Sequence, residues 1–464
     1  MGDIPTQASS NDLKEETTSS FSPGTERTRH SAGLAAVLSA IVWGFGQWYN
    51  RQYIKGSILF LCQALFAYYL LPRLPRAVWG IVTLGEVGIQ KVKVNGRTKT
   101  IIGDHSIHLL ISGLIVCIVF VLFIWMYVSV IRDAYRVAIG IRAGKHANSF
   151  KKTIHHILEH NFAQVLLTVP VLGVLFFTIM PILFMILLAF TNYSAPDNIP
   201  PAKLVDWVGF QNFIDLVKLK TWSGTFFGVL TWTIIWAVIA TFSCYIGGIL
   251  VALLIQQAGI RFKTMWRTIF IIPYAIPQIV SFLIMRNMFN GEFGPINQYL
   301  SYFGLGKVPW LSDPIWAKAT VLLVNMWVGI PVSMVLITGV LTTIPRDWYE
   351  AAEVDGATAW HKFRNITMPM ILYSTAPVLI MQFSGNINNF NVIFLMTNGN
   401  PVNGEYQYAG STDLLVTWLY KLTLDNSKFS IAATIGIILF VIVASFSIWN
   451  YRRSRSFREE DMIQ

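Results

Sequence analysis

Three amides and a glycine in one apolar stretch suit a hydroxyl-rich ligand. Within Gln382-Phe-Ser-Gly-Asn-Ile-Asn-Asn-Phe-Asn391, the residues Gln382, Gly385, Asn386 and Asn389 follow i, i+3, i+4, i+7 spacing, which places them on one face of a helix. An amide offers two donors and an acceptor, as vicinal hydroxyls require, and a glycine among amides leaves room for a ligand. The other use of such residues is hydrogen bonding between packed helices, which contributes ~1 kcal/mol. A facing wall is available in Asn325-Met-Trp-Val-Gly-Ile-Pro331, where Gly329 and Pro331 loosen or bend a helix.

A polar insert, Tyr349-Glu-Ala-Ala-Glu-Val-Asp-Gly-Ala through Phe363-Arg-Asn-Ile-Thr-Met-Pro369, separates two long apolar runs. Pro345 suits the first turn of a helix and Asp347 is placed to cap it. Glu350, Ala351 and Ala352 open that helix, Gly356 permits a bend, and a second helical piece runs to Pro369. Helix, turn, helix between two membrane spans makes a docking element at the membrane face.

The elements that position these residues follow from composition. The chain has 464 residues, of which 54% are hydrophobic and 13% charged, and its mean hydropathy is +0.53. Several runs exceed the ~20 apolar residues that cross a bilayer, so the fold class is all-α and polytopic, with about eight membrane helices. The net charge of +11 fits Lys and Arg retained in cytoplasmic loops rather than nucleic-acid binding. Cys62, Cys117 and Cys244 lie in apolar runs without metal spacing, which argues against disulfide and zinc frameworks.

Residues 1–30 are polar, predicted as a disordered tail without the layout of a secretory signal. Apolar segments at 31–50 and 55–72 follow, then a polar stretch at 73–106 with a hairpin expected around Asn95-Gly96. A span is expected from Ile107 to Ile131. The segment 132–161, with Arg132, Arg136, Arg142, Lys145, Lys151 and Lys152 against Asp133 and Glu159, is expected to be cytoplasmic. Six further runs lie near 162–191, 225–256, 266–290, 316–344, 370–396 and 429–450. Alternation puts the Glu350 insert and the tail Arg452-Arg-Ser-Arg455 inside. It also puts the basic 73–106 segment outside, against the charge rule, and favours a non-crossing segment 31–50.

Gly140-Ile-Arg-Ala-Gly-Lys-His146 fails the phosphate-loop pattern in spacing and in its last residue, so the chain itself is not expected to bind ATP or any other cofactor. His155, His156 and His160 lack the carboxylate of a metalloprotease motif and read as a solvated basic face. The six later runs hold no Asp or Glu, which argues against an ion-coupled carrier; Arg286 and Lys318 stand near ends, where they can snorkel. A convergent catalytic set is also missing, so the chain is read as not an enzyme.

The pattern Glu350-Ala-Ala, Gly356, Ile366, Pro369 resembles the EAA loop of ABC importer permeases, with Met368 where leucine is usual. Phe190-Thr-Asn-Tyr-Ser194, Ile272-Pro-Tyr-Ala-Ile-Pro277, Leu311-Ser-Asp-Pro314, Asn388-Asn-Phe390, Thr397-Asn-Gly399 and Ser411-Thr-Asp-Leu-Leu415 are similar to the MalF-type maltose and maltodextrin permeases over about 162–455. That resemblance implies a six-helix permease core behind N-terminal accessory helices. Its boundaries are 1–30 for the tail, 31–160 for accessory helices, 161–224 for the first core helix and outer loop, 225–451 for the core with the loop 345–369, and 452–464 for a cytoplasmic tail. It further implies a MalG-like second permease, an ATPase dimer that uses ATP and Mg, an extracytoplasmic sugar-binding protein, and an oligosaccharide substrate. Maltodextrin leads and galacto-oligosaccharide follows. Sugar-contacting positions of the family match Asn325, Val328, Gly329, Gln382, Gly385, Asn386 and Asn389. Val332 and Gly385 stand where the maltose permease has aromatic rings, which implies a more open pocket.

Overall fold

The structure, a computed structural model, describes residues 31–453 apart from 95–96, 102, 145–146, 148–149, 161, 202 and 258. The tails 1–30 and 454–464, and the turn Asn95-Gly96, therefore lie outside the described residues. Two compact units are present, one made of 1–82 with 110–178 and the other of 83–109 with 179–464.

In the first unit the segment expected at 31–50 is a short hairpin. Helix α1 (Ala32–Ile41) has ten residues, ~15 Å of rise against the ~30 Å of a hydrocarbon core. It stops at Val42, and Gly44, at φ 94°, turns the chain into α2 (Phe45–Tyr49). Only glycine suits this corner, because a Cβ on Gly44 would lie 2.0 Å from the carbonyl oxygen of Gly56. The two ends of the hairpin meet, the Ser31 amide donating to the Tyr49 hydroxyl at 3.3 Å.

Helices α3 (Tyr53–Thr83) and α4 (Ser106–Arg142) are both long and apolar enough to span, and each runs past the limit expected for it. Trp43 at the hairpin tip stacks on Phe123 of α4 at 5.0 Å. Nearer the Arg142 end of α4, Gln47 donates to the Val130 carbonyl and the Asp133 carboxylate, and Asn50 to the Ala134 carbonyl. Lys55 pairs with Asp133 at 2.8 Å. The hairpin thus starts and finishes at the Arg142 end of α4. The Gln47 and Asn50 NH2 groups and the Lys55 ammonium of its polar turn thus find partners on α4, while Asn50 Oδ1 and Trp43 Nε1 are buried without one among the described residues. Gly140-Ile-Arg142 is the last turn of α4 rather than a loop, and Lys145-His146 lies outside the described residues.

In the second unit, β1 (Gln90–Val94) pairs antiparallel with β2 (Arg97–Ile101). The Asp104 carboxylate accepts from the Glu86 and Val87 amides below this hairpin. In chain order α5 (Phe150–His160) and α6 (Phe162–Leu188) follow α4. On α5, His155 pairs with Glu159 at 2.9 Å. A π turn at Leu175–Ile179 precedes Pro181 in α6, where the missing amide donor interrupts the regular ladder. Then come α7 (Gln211–Lys218), α8 (Lys220–Gln256), α9 (Lys263–Ala275), α10 (Gln278–Met288), α11 (Pro295–Tyr302) and α12 (Pro314–Thr343).

The centre of this unit is the close pair α8 and α12. A Cβ on Gly248 would lie 2.4 Å from the Ser333 Cβ, and one on Gly329 2.4 Å from the Cys244 Sγ. Small residues on both helices let the backbones approach, the usual source of cohesion where lipid removes the hydrophobic drive.

The single span expected at 266–290 is instead the pair α9 and α10, bent by 90°. Pro277 disfavours helical backbone at Ile276, which is extended at ψ 134°. The polar insert begins with α13 (Arg346–Val354), for which Pro345 is the N-cap; Asp347 lies inside the first turn without capping. There its charge still favours the helix end. Gly356 turns at φ 77°. The second helical piece does not stop at Pro369: α14 (Ala359–Lys362), a π turn at Phe363–Thr367 and α15 (Met368–Ile387) run on into the membrane-length stretch Ala359–Met396. After a break at Asn388 come α16 (Phe390–Met396), α17 (Leu415–Tyr420) and α18 (Phe429–Arg453). In all, seven helices among the described residues are long and apolar enough to cross a membrane, with the bent pair as a possible eighth span.

Candidate functional site

A cavity of about 260 Å³ opens between α8, the bent pair, α12 and the broken helix α15–α16. Asn325, Val328 and Gly329 face it from α12, Gln382, Gly385 and Asn386 from α15, and Asn389 from the break before α16. All seven residues singled out from the sequence therefore line one space. Helical spacing explains only three of the four on the broken helix. Helix α15 ends at Ile387, and Asn389 is the N-cap of α16, so the break carries it to the cavity.

The amides hold one another. Asn389 donates to Asn325 Oδ1 at 3.1 Å and to Asn386 Oδ1 at 3.4 Å, while Asn386 donates to the Thr241 hydroxyl at 2.9 Å. The Trp236 indole fixes the Asn386 carbonyl at 3.1 Å. The Gln382 amide, by contrast, has no hydrogen-bond partner among the described residues, and a Cβ on Gly385 would meet nothing within 4 Å. Val332, expected to leave the pocket open, also lines it. These are neutral donors and acceptors around unfilled space, with no charged residue in the lining.

Cys244, Tyr274, Gln278, Phe282 and Val392 complete the wall. Sequence reasoning did not select them. The signal available was the pair Pro273 and Pro277, whose spacing breaks a helix and swings Tyr274 and Gln278 to the cavity. Tyr274 offers a phenol with no hydrogen-bond partner among the described residues, and Gln278 Oε1 accepts from Asn391 at 3.2 Å. The Lys318 ammonium, near the start of α12, sits over the Trp232 ring, 4.7 Å from the centroid.

The insert lies at the far end of α12 from residues 290–313. Glu350, Ala351, Gly356 and Pro369 are exposed there, and Ala352 and Ile366 half-buried. Tyr349 and Thr367 share a hydrogen bond of 2.9 Å, and Lys362 pairs with Glu353, so the two arms of the insert are tied. Its outer surface carries apolar groups without cover, Val354 being 90% and Trp360 63% exposed.

Residues 244–459 match the family model described as binding-protein-dependent transport system inner membrane component. The chain is also 40% identical to the galactooligosaccharides transport system permease protein GanP of Bacillus subtilis (strain 168), over 92% of its own length and 98% of the relative's. It belongs to the binding-protein-dependent transport system inner membrane component family. A second relative is the maltodextrin transport system permease protein MdxF of the same organism, 36% identical over 94% of this chain and 98% of the relative. The fold is shared with a bacterial ABC transporter involved in the import of the acidic polysaccharide alginate, at a TM-score of 0.55 and 22% identity, over 66% of this chain and 98% of the other. The match to the family model starts at Cys244 and takes in both the cavity and the insert of this inner membrane component, leaving α1 to α7 outside it.

Proposed function

We propose that this chain is the membrane-spanning permease subunit of an ATP-driven, binding-protein-dependent importer of oligosaccharides, and that the amide-lined cavity is its half of the sugar path. The observation that carries the reading is the cavity itself. Gln382, Asn386 and Asn389 bring neutral hydrogen-bonding groups beside the open space at Gly385, the chemistry of a hydroxyl-rich ligand. The absence of any carboxylate from the lining supports a driving force from outside the chain rather than an ion gradient.

The exposed Glu350–Pro369 insert is the cytoplasmic seat of an ATPase subunit. ATP and Mg belong to that partner, and the movement of α13 passes through α14 and α15 to the cavity as alternating access. A second, MalG-like permease supplies the other half of the path, and an extracytoplasmic binding protein delivers the sugar. The Arg142 end of α4 and the C-terminal tail share the cytoplasmic face with the insert.

Maltodextrin is the first substrate assigned, on the sequence resemblance and the 36% identical MdxF. Galacto-oligosaccharide is the second, favoured by the 40% identical GanP. The test is uptake of labelled maltotriose into vesicles that hold this chain with its partner permease, ATPase and binding protein. ATP-dependent uptake that unlabelled maltodextrins suppress supports the first assignment. ATP-dependent uptake of a β-galactoside oligosaccharide alone moves the substrate to the second. Uptake driven by an ion gradient without ATP overturns the coupling reading.

A further inference from the structure

A second cavity, of about 460 Å³, lies next to the first and shares no lining residue with it. It is lined by Leu283, Arg286 and Asn287 of α10, by Asn290 and Leu311 from the loop that follows, and by Met396, Thr397 and Asn400 at the end of α16. Helices α10 and α16 pack against each other, and both contribute to both cavities. Phe282 and Val392 wall the inner one, while Arg286 and Met396, each four residues further along, wall the outer one. Four residues of helix rise ~6 Å, so the two spaces are successive tiers along one groove. The outer tier is at the end of α12 opposite the Glu350 insert.

Its chemistry is lopsided toward donation. The Arg286 guanidinium and the Asn287 and Asn400 amides have no hydrogen-bond partner among the described residues, and no carboxylate lines the space. Asn290 Oδ1 accepts from the Glu292 and Phe293 amides, and its NH2 group has no acceptor among the described residues. Leu283, Leu311 and Met396 supply apolar area beside these donors. A ligand that fits has many oxygen acceptors on one edge and C–H surface on another, as a pyranose ring does, and the Arg286 fork suits two adjacent oxygens. A metal ion is the wrong partner for such a set, and a purely apolar ligand would leave the donors unmet.

We propose that this outer cavity is a second carbohydrate subsite, which holds the trailing units of an oligosaccharide whose leading units occupy the inner cavity. The inference rests on the reading of the inner cavity as a sugar path and adds chain-length selection to it. A disaccharide fits the inner tier alone, so the outer donors act only on longer chains.

The experiment uses the complete transporter in proteoliposomes, with saturating sugar-loaded binding protein, and compares maximal ATP-driven uptake of maltose, maltotriose and maltotetraose, together with the matching β-galactoside series. Arg286→Met and Asn287→Ala are each expected to slow the tetrasaccharide about fivefold, the worth of one hydrogen bond, and to leave the disaccharide unchanged. The disaccharide rate of the same preparation shows that each variant is folded and coupled. Equal loss at every chain length means that these residues dock the binding protein, and overturns the proposal, as does unchanged uptake of all lengths. Failure of the unmodified transporter to move any oligosaccharide with ATP would instead remove the parent reading of the inner cavity, and the subsite with it.

Discussion

The Asn389 amide donates to Asn325 Oδ1 across 3.1 Å, tying the break in the α15–α16 helix to α12. The bond uses one acceptor of Asn325, and Asn389 Oδ1 has no donor among the described residues in a cavity that Gln382 also lines. Removing it should loosen the break and the cavity together. Asn389→Ala is expected to lower ATP-driven oligosaccharide uptake about tenfold, from one lost ligand contact and one lost helix tie, while the ATPase still co-purifies. Wild-type uptake across a panel of sugars would return these amides to a packing role.

Gly385 borders space, so enlarging it costs little in folding. Gly385→Phe should leave thermal stability in detergent unchanged, because a Cβ there meets nothing within 4 Å, and should shift uptake toward shorter sugars by filling the cavity with a ring. A drop in melting temperature would show that the space is occupied by packing.

Gly329 is the opposite case. Gly329→Ala drives a methyl into the Cys244 Sγ at 2.4 Å, an overpacking that costs ~1–3 kcal/mol. Cys244→Ala in the same chain removes that sulfur and should recover most of the loss. A thermal melt of the single and double variants measures the coupling.

Asp413 and Lys421 form a buried ion pair outside the membrane spans, at 2.6 Å, with the Gly410 amide and Thr417 hydroxyl also donating to the carboxylate. Burial pushes the Asp413 carboxyl up, and Lys421, Gly410 and Thr417 pull it back only in part. Because the folded carboxyl binds its proton more tightly than the unfolded one, stability declines as pH rises from the ordinary carboxylate range toward the raised value, then levels off. Lys421→Met strips the counter-charge and should cost ~3 kcal/mol at neutral pH. Acidification regains that loss as Asp413 protonates, and adding Asp413→Asn regains it at all pH. Melts of the detergent-solubilised protein at pH 5 and pH 8 decide it.

Gly356 turns the insert at φ 77° with no atom near its missing side chain. Gly356→Asp therefore costs ~1 kcal/mol of backbone strain without a clash, and reshapes the exposed corner. Together with Glu350→Arg, it is expected to release the ATPase on purification while this chain stays in the membrane. Normal co-purification and uptake in both variants would count against the seat assigned to the insert.

The legible parts of this molecule were those in which a residue contradicts its surroundings locally. Gln382, Asn386 and Asn389 stand out because amides are expensive in an apolar run, and the Glu350 insert because it interrupts two spans. The turn at Gly356 and the hairpin strands on either side of Asn95-Gly96 follow from local backbone chemistry. What sequence could not place depends on distant partners. Hydropathy over 31–50 averages a ten-residue helix, a left-handed corner and a return into one apparent segment. In the same way it reads α9 and α10 as one span, although Pro273 and Pro277 stand in plain view. Tyr274 and Gln278 join the cavity only through that bend. The break at Asn388 preserved the right membership for Asn389 while removing the helical reason given for it.

The amino-terminal hairpin has a consequence for how the chain is made. Gln47 finds its acceptor at Val130, 83 residues later in the sequence. At 5–20 residues per second, a ribosome needs roughly 4–17 s to supply that partner. Through this interval α1 and α2 have left the exit tunnel with a polar turn that bare lipid would not accept. The hairpin therefore has to wait at the headgroup surface or beside the insertion machinery while α3 and α4 are threaded. Assembly here thus runs backwards, the hairpin being synthesised before α3 and α4 and settling after them.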